Sequence, residues 1–265
     1  MENLHNLDEK DFQEIVSYKN LLLSNGKKLA TLDPNDDYWR NLSNESILSR
    51  NGMFIESNMV ESWVGATRKP KRILEIGTRT GGSLIALLCV YSKSDFEKIE
   101  EILSFDMWRE YVSTTSLSTI LSKILGKKRN INISERFTKW IGNYVEKAST
   151  DKVRKNLAAF DIPTEKIKFI SGDSTIKVPE YFTKNPNNKF DYILVDGGHD
   201  EKTAMTDLDN VVAHVDKGGI ILFDDIMPES YNLMGVWNKF KEKNKNDFNF
   251  FEIRHRKGIG FAIKK

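Results

Sequence analysis

From Lys71 onward the chain holds five short runs, at 72–76, 101–106, 166–170, 190–196 and 219–224, that are mainly apolar rather than strictly alternating and are separated by longer amphipathic stretches. A strand with one wet face alternates apolar and polar residues, because successive side chains point to opposite faces. Runs without that alternation are strands buried on both faces, as in a parallel sheet covered by helices on each side. The strand–helix alternation predicts an α/β fold, a doubly wound, mostly parallel sheet, over residues 69–265. Two last apolar runs, Phe248 to His255 and Gly258 to Lys264, flank a tight turn and predict a closing antiparallel hairpin. Residues 1–68 predict a mostly helical extension, with Leu21-Leu22-Leu23 an apolar clump and Asp33-Pro34-Asn35-Asp36 a turn signal. Residues 111–149 break the alternation. Ile120-Leu121, Ile124-Leu125 and Trp140-Ile141 make this stretch a helical insertion, either a lid over a site or a contact for an oligomer.

Composition narrows the partners. Forty Lys and Arg against 38 Asp and Glu leave a net charge of +2. So weak a balance gives no long-range pull toward nucleic acid or an anionic membrane, which leaves a small molecule as the expected partner. The basic run Lys127-Lys128-Arg129 reads as a solvated loop. The one cysteine, Cys89, sits in the apolar run 84–90 and reads as a small core residue, which fits a reducing compartment. The acidic start MENLHNLDEKDF has no apolar leader, and no apolar stretch approaches the ~20 residues that span a bilayer, so a cytoplasmic location is expected.

The chemistry concentrates where predicted strands end. Leu74-Glu75-Ile76-Gly77-Thr78-Arg79-Thr80-Gly81-Gly82-Ser83 is a Gly-rich strand-to-helix turn that lets a ligand approach the backbone. A dinucleotide site wants a glycine at the position of Arg79 to make room for pyrophosphate, so this turn fits a ligand without one. Asp106 ends the second strand, 25 residues beyond Gly81, where a carboxylate can accept ribose hydroxyls or cap a helix. Gly172-Asp173-Ser174 follows the third strand and is open to two readings, adenine contact or helix N-cap. Asp196 ends the fourth strand, and Asp224 and Asp225 end the fifth. Three carboxylates there repel one another unless they are paired or metal-bound, and hard oxygen ligands suit Mg²⁺. One or two of them, Asp225 above all, could instead cap helices. His199, three residues past Asp196, is either a base near neutrality or a structural histidine at a helix start.

With Glu75 to Gly81, Asp106, Asp173, Asp196 and the closing hairpin in place, residues 70–265 resemble the class I S-adenosylmethionine (SAM)-dependent methyltransferases. The segments Asp191-Tyr192-Ile193-Leu194-Val195-Asp196-Gly197-Gly198-His199 and Lys217-Gly218-Gly219-Ile220-Ile221-Leu222-Phe223-Asp224-Asp225 are similar to the metal-dependent O-methyltransferase branch. Within it they resemble the macrolide-sugar O-methyltransferases and the cephalosporin-hydroxylase-like group. The chain departs from the common motif at Arg79, which stands in place of the middle glycine. The resemblance implies a Rossmann-like methyltransferase sheet, in which the hairpin distinguishes it from a plain dinucleotide-binding sheet. It implies SAM held by Glu75, Gly77, Thr78, Gly81, Ser83, Asp106, Asp173 and Ser174. It also implies a divalent metal, Mg²⁺ first, at Asp196, Asp224 and Asp225, with His199 and Asp196 catalytic.

The expected reaction is methyl transfer to a hydroxyl of a small molecule, a sugar or natural-product diol that a metal could chelate. A homo-oligomer is compatible with this reading. Two other functions stay open on the sequence. One is an NAD(P)-type oxidoreductase on the same architecture, against which Arg79 and the hairpin count. The other is a SAM-binding protein without catalysis, against which the intact Asp196, His199, Asp224 and Asp225 count.

Overall fold

A computed structural model describes residues 9–32, 56–108, 149–227, 231–254 and 257–265. The expected turn at Asp33–Asp36 and nearly all of the expected helical insertion at 111–149 lie outside the described residues. Helices α1 (Glu9–Ser17), α2 (Lys19–Leu32) and α3 (Ser57–Arg68) precede strand β1 (Arg72–Ile76). Then follow α4 (Gly82–Leu88), α5 (Lys93–Glu97), β2 (Glu101–Asp106), α6 (Thr150–Ala158), β3 (Ile167–Ser171) and α7 (Ser174–Lys184). The chain ends with β4 (Phe190–Val195), α8 (Glu201–Val211), β5 (Val215–Asp224), α9 (Leu233–Asn244), β6 (Phe248–Ile253) and β7 (Ile259–Lys264). All seven strands form one sheet in the order β3-β2-β1-β4-β5-β7-β6. The first five are parallel, and β7 runs antiparallel between β5 and β6. The α/β architecture and its closing hairpin are thus as the sequence indicates, with β5 beginning four residues earlier than the apolar run 219–224.

Neighbouring residues of each central strand explain why alternation is missing. Ile73, Ile102, Leu194, Ile220 and Leu222 pack on one face with α1–α4 and α6. Their sequence neighbours Leu74, Leu103, Ile193, Val195, Ile221 and Phe223 pack on the other with α7, α8 and α9. Both faces are dry, so, apart from Glu75 of β1 and Ser104 of β2, the buried positions are apolar. Each such side chain contributes roughly 1.5–3 kcal/mol of burial. The helices ahead of β1 belong to the same apolar cluster as the sheet: Ile15, Leu22, Leu29, Val60 and Trp63 join it. On the far side Trp237 of α9 lies flat against β7, where a Cβ at Gly260 would come within 2.6 Å of its ring. Only glycine leaves room there.

The topology fixes where a ligand can bind. Strand order reverses between β1 and β4, and in open sheets of this kind the crevice lies beyond the carboxyl ends at that reversal. Ile76 of β1 is in register with Phe105 of β2 and Val195 of β4, and Val195 with Phe223 of β5. Gly77, Asp106, Asp196 and Asp224 therefore emerge side by side along one rim.

Candidate active site

The turn after β1 is fixed by contacts that each demand a particular residue. Gly77 has φ of +92°, and its N–H donates to the Phe105 carbonyl at 2.9 Å. A Cβ there would stand 1.8 Å from the Asp196 carbonyl oxygen, so no side chain fits. Arg79 also takes a left-handed backbone, φ +49°, which costs a non-glycine residue roughly 1–2 kcal/mol. The departure from the glycine motif has not changed the backbone conformation that a glycine would favour. Part of the cost is offset by the Arg79 N–H, which donates to Asp106 Oδ2 at 2.5 Å. The hydroxyls of Thr78 and Ser104 bond at 2.6 Å beneath the turn, and Asn156 Nδ2 of α6 donates to the Thr80 carbonyl at 3.0 Å. Gly81, φ +85°, leads into α4, with Ser83 in the first turn of that helix.

The predicted cofactor residues meet different fates. Asp106 has each oxygen engaged once, Oδ2 by Arg79 and Oδ1 by the Met107 N–H at 2.5 Å. Burial raises its pKa, and those amides pull the other way. Each carboxylate oxygen retains a second lone pair for a ligand hydroxyl. Asp173 acts as the N-cap of α7, its Oδ1 accepting from the Thr175 N–H and hydroxyl at 2.9 and 2.7 Å. Ser174 Oγ donates to Asp207 Oδ2 at 3.0 Å. Of the two readings the sequence left open at 172–174, the side-chain bonds are those of a helix cap.

Glu75 is 1% exposed, and neither carboxyl oxygen has a hydrogen-bond partner. Burial pushes its pKa to about 8; the nearby Thr78 hydroxyl opposes that shift but is already bonded to Ser104, and the Glu61 charge adds to it. Two orphaned oxygens facing a glycine-lined turn are what a cationic ligand such as SAM would satisfy. Sequence reasoning missed a second acid, Glu61 of α3, also 1% exposed. Burial raises it to about 8 as well; the Asn58 amide and the Ser83 hydroxyl oppose the shift, and the Asp196 charge adds to it. Its signal in the sequence was an acid amid Met59, Val60, Trp63 and Val64, with apolar neighbours all around the helix.

Across the rim, Asp196, Asp224, Asp225 and His199 do come together. His199 Nε2 lies 3.7 Å from Asp196 Oδ1 and 3.6 Å from Asp225 Oδ2. Asp196 raises the His199 pKa above its ordinary value, burial opposes that, and Asp225 adds to it. Burial, with the Asp196 and Asp225 charges, drives the Asp224 pKa far up. The chain brings its own cation: Lys257, on the β6–β7 turn, lies 2.6 Å from Asp225 Oδ2. Asp224 Oδ1 meanwhile accepts the Asp225 N–H at 2.8 Å. Among the described residues no group of three or more His, Cys, Asp or Glu side chains converges to hold a metal ion. As arranged, the expected metal ligands do not fit one, since Asp225 is turned to Lys257. Asp200, not an aspartate of this set, caps α8 through Thr203 at 3.0 Å. Tyr231, 51% exposed, has its ring centroid 6.4 Å from that of His199.

Three solved structures share the fold at low sequence identity. The SAH-bound methyltransferase PaMTH1 of Podospora anserina aligns over 100% of both chains at 14% identity and a TM-score of 0.54. The O-methyltransferase TomG of Streptomyces achromogenes, involved in tomaymycin synthesis and solved with SAM, aligns over 93% of this chain and 98% of its own, at 14% and 0.52. The Bacillus cereus O-methyltransferase in complex with SAH covers 93% and 100%, at 12% and 0.52. No curated protein matches the sequence. The family model described as "Methyltransferase domain" matches residues 74–226, from β1 to just past β5. That span is more than half of the chain and holds the glycine turn, Asp106, Asp196, His199, Asp224 and Asp225, and so this chain belongs to the methyltransferase-domain family.

Proposed function

We propose that the chain is a SAM-dependent O-methyltransferase acting on a hydroxyl of a small molecule, a sugar or natural-product diol. The observation that carries this reading is the His199 imidazole between two carboxylates, across the rim from the unpartnered Glu75 carboxyl. Bound SAM would supply an activated methyl group and would lie over the glycine turn, with its ribose hydroxyls at Asp106 and a cationic part near Glu75. With the Nε2–H held by the two carboxylates, the acceptor hydroxyl would give its proton to His199 Nδ1, the other ring nitrogen, as its oxygen attacks the methyl carbon. In that transfer the carbon–sulfur bond of bound SAM would break with its electron pair left on sulfur, and S-adenosylhomocysteine (SAH) would leave. Asp196 and Asp225 stabilise the imidazolium that forms. The exposed ring of Tyr231 offers a flat apolar face for the acceptor beside the base. A divalent ion chelating a diol was the expectation from sequence; in this reading the proton transfer falls to His199, held by Asp196 and Asp225.

The test is binding and turnover together. SAM is expected to bind by calorimetry and NAD not to, and methyl-labelled SAM is expected to label a sugar or catechol diol. Replacing His199 with Ala should leave SAM binding within a few-fold and lower methyl transfer by about 10²–10⁴. Turnover surviving within a few-fold in the folded variant would remove His199 as the base, and NAD binding in place of SAM would overturn the methyltransferase reading.

A further inference from the structure

Glu61 lies outside the span that the family model matches, on a helix that no motif marks. Its position is not accidental to the site. Ser62 Oγ donates to the Ala86 carbonyl at 2.8 Å, and a Cβ at Gly65 would come within 2.0 Å of the Leu87 carbonyl oxygen. These contacts lock α3 against α4 at close range and bring the Glu61 carboxyl beside Ser83, where the charges of Asp196 and Glu75 reach it. Asn58 Nδ2 donates to Glu61 Oε2 at 2.8 Å, a neutral partner that orients the group and leaves its charge unbalanced. Among the described residues no Lys or Arg forms an ion pair with Glu61 or Glu75.

Two buried acids without a counter-cation are costly to keep, and a helix that needed only packing would carry an apolar residue at this position. Their burial at the edge of the glycine turn suits a ligand that brings positive charge with it. SAM has two such centres, the sulfonium and the α-ammonium of its methionyl arm. The orphaned oxygens of Glu75 lie at the turn itself. Glu61 lies farther along, beside Ser83 in the first turn of α4. Resting on the SAM reading above, we propose that Glu61 is a cofactor-binding residue that accepts the α-ammonium of the methionyl arm. It completes the donor site from outside residues 74–226, and it makes α3 part of the binding machinery. The neutral, protonated state that burial favours in the empty protein then gives way to the carboxylate when the ammonium arrives.

The experiment compares three ligands by calorimetry on the full chain: SAM, SAH and 5′-methylthioadenosine, which keeps the nucleoside and lacks the ammonium. In Glu61→Gln, SAM and SAH affinity should fall about tenfold or more, the loss expected of a charge-assisted bond. Methylthioadenosine affinity should stay within about twofold of the unsubstituted protein. The melting temperature of the empty variant should be equal or higher, because the amide removes a buried acid. Glu61→Asp, which keeps the charge on a shorter arm, should retain part of the preference for SAM over methylthioadenosine. Equal losses for all three ligands together with a lower melting temperature would make Glu61 structural and overturn the proposal. So would unchanged SAM affinity in a folded Glu61→Gln protein. If the unsubstituted protein bound methylthioadenosine and SAM equally, the arm would have no site, and Glu61 would lose its role while the SAM reading stood. Binding of none of the three would overturn the SAM reading itself.

Discussion

Among single residues, Lys257 changes most what the acid cluster can do. Asp196, Asp224 and Asp225 repel one another at two adjacent strand ends, and such a cluster persists by protonation, by pairing or by a bound cation. Here the ammonium of Lys257 sits 2.6 Å from Asp225 Oδ2. Burial acts to lower the Lys257 pKa, but Asp225, Asp224 and Asp196 outweigh it and leave it raised. The ammonium is therefore held at the place where the sequence led us to expect a divalent ion, and any such ion would have to compete with it. Replacing Lys257 with Met should strengthen Mg²⁺ binding at least about tenfold over the unsubstituted protein, measured by calorimetry, since it frees one hard oxygen ligand. Equal Mg²⁺ affinities would show that Lys257 does not compete for that place. Lys257 could not be assigned from the sequence, because it stands in a turn with no motif around it. Only the hairpin's return beside β5, seen in the pairing of Asp224 with Ile259, brings it to Asp225.

Secondary-structure elements show how unevenly fold and site were legible. The strands could be read because burial on both faces removes most polar positions; helix α4, apolar from Leu84 to Leu88, shares that pattern and is set apart by the glycine turn before it. The helix caps could not be assigned, because Asp and Ser after a strand serve equally as caps and as ligands. Asp173 turned out to bond its own helix, Asp200 rather than Asp196 caps α8, and Asn232 rather than Asp225 caps α9. Glu61 escaped notice for another reason: helix α3 is buried from Asn58 to Gly65, so it has no wet face against which a polar residue would look misplaced. The turn after β1 was legible in its glycines, and it carries the sharpest test at this scale. Gly77→Ala would place a methyl 1.8 Å from the Asp196 carbonyl, at a φ of +92° that alanine resists. The neighbouring atom is backbone, so nothing can swing aside. The variant should lose roughly 1–3 kcal/mol of stability by denaturant unfolding. It should also bind SAM at least about tenfold more weakly, because β1 and β4 must part to admit the methyl. SAM affinity and stability both near normal would mean that β1 and β4 do not approach as closely as described.

The whole molecule carries a surplus of buried acid, and that surplus sets its response to pH. Burial raises Glu61 and Glu75 to about 8 from an ordinary 4.5, and Asp207 to about 7 from 3.8. Between the unfolded and folded values, the folded protein therefore holds more protons than the unfolded chain. Stability then falls as pH rises, from about 4.5 up through about 8 for the two glutamates. His199, also raised, contributes in the same direction: its share is complete below its ordinary pKa and is lost as pH passes the raised one. His214, lowered by burial, works in the opposite sense but is a single group. Each pKa unit corresponds to about 1.4 kcal/mol, and about 1 kcal/mol moves the melting temperature of a domain this large by roughly 2–4 °C. The empty protein should therefore melt at a distinctly lower temperature at pH 9 than at pH 6, by several degrees or more, as followed by scanning fluorimetry. A ligand that brings positive charge favours the ionised acids, so the stabilisation conferred by saturating SAM should grow over the same interval. The neutral ligand methylthioadenosine should stabilise by a more nearly constant amount. In a protein carrying both Glu61→Gln and Glu75→Gln, the alkaline decline of the empty form should flatten. The added gain from SAM at high pH should disappear with it. A melting temperature independent of pH between 6 and 9 would mean that these acids are ionised in the folded state at neutrality, already balanced by charge from elsewhere in the chain.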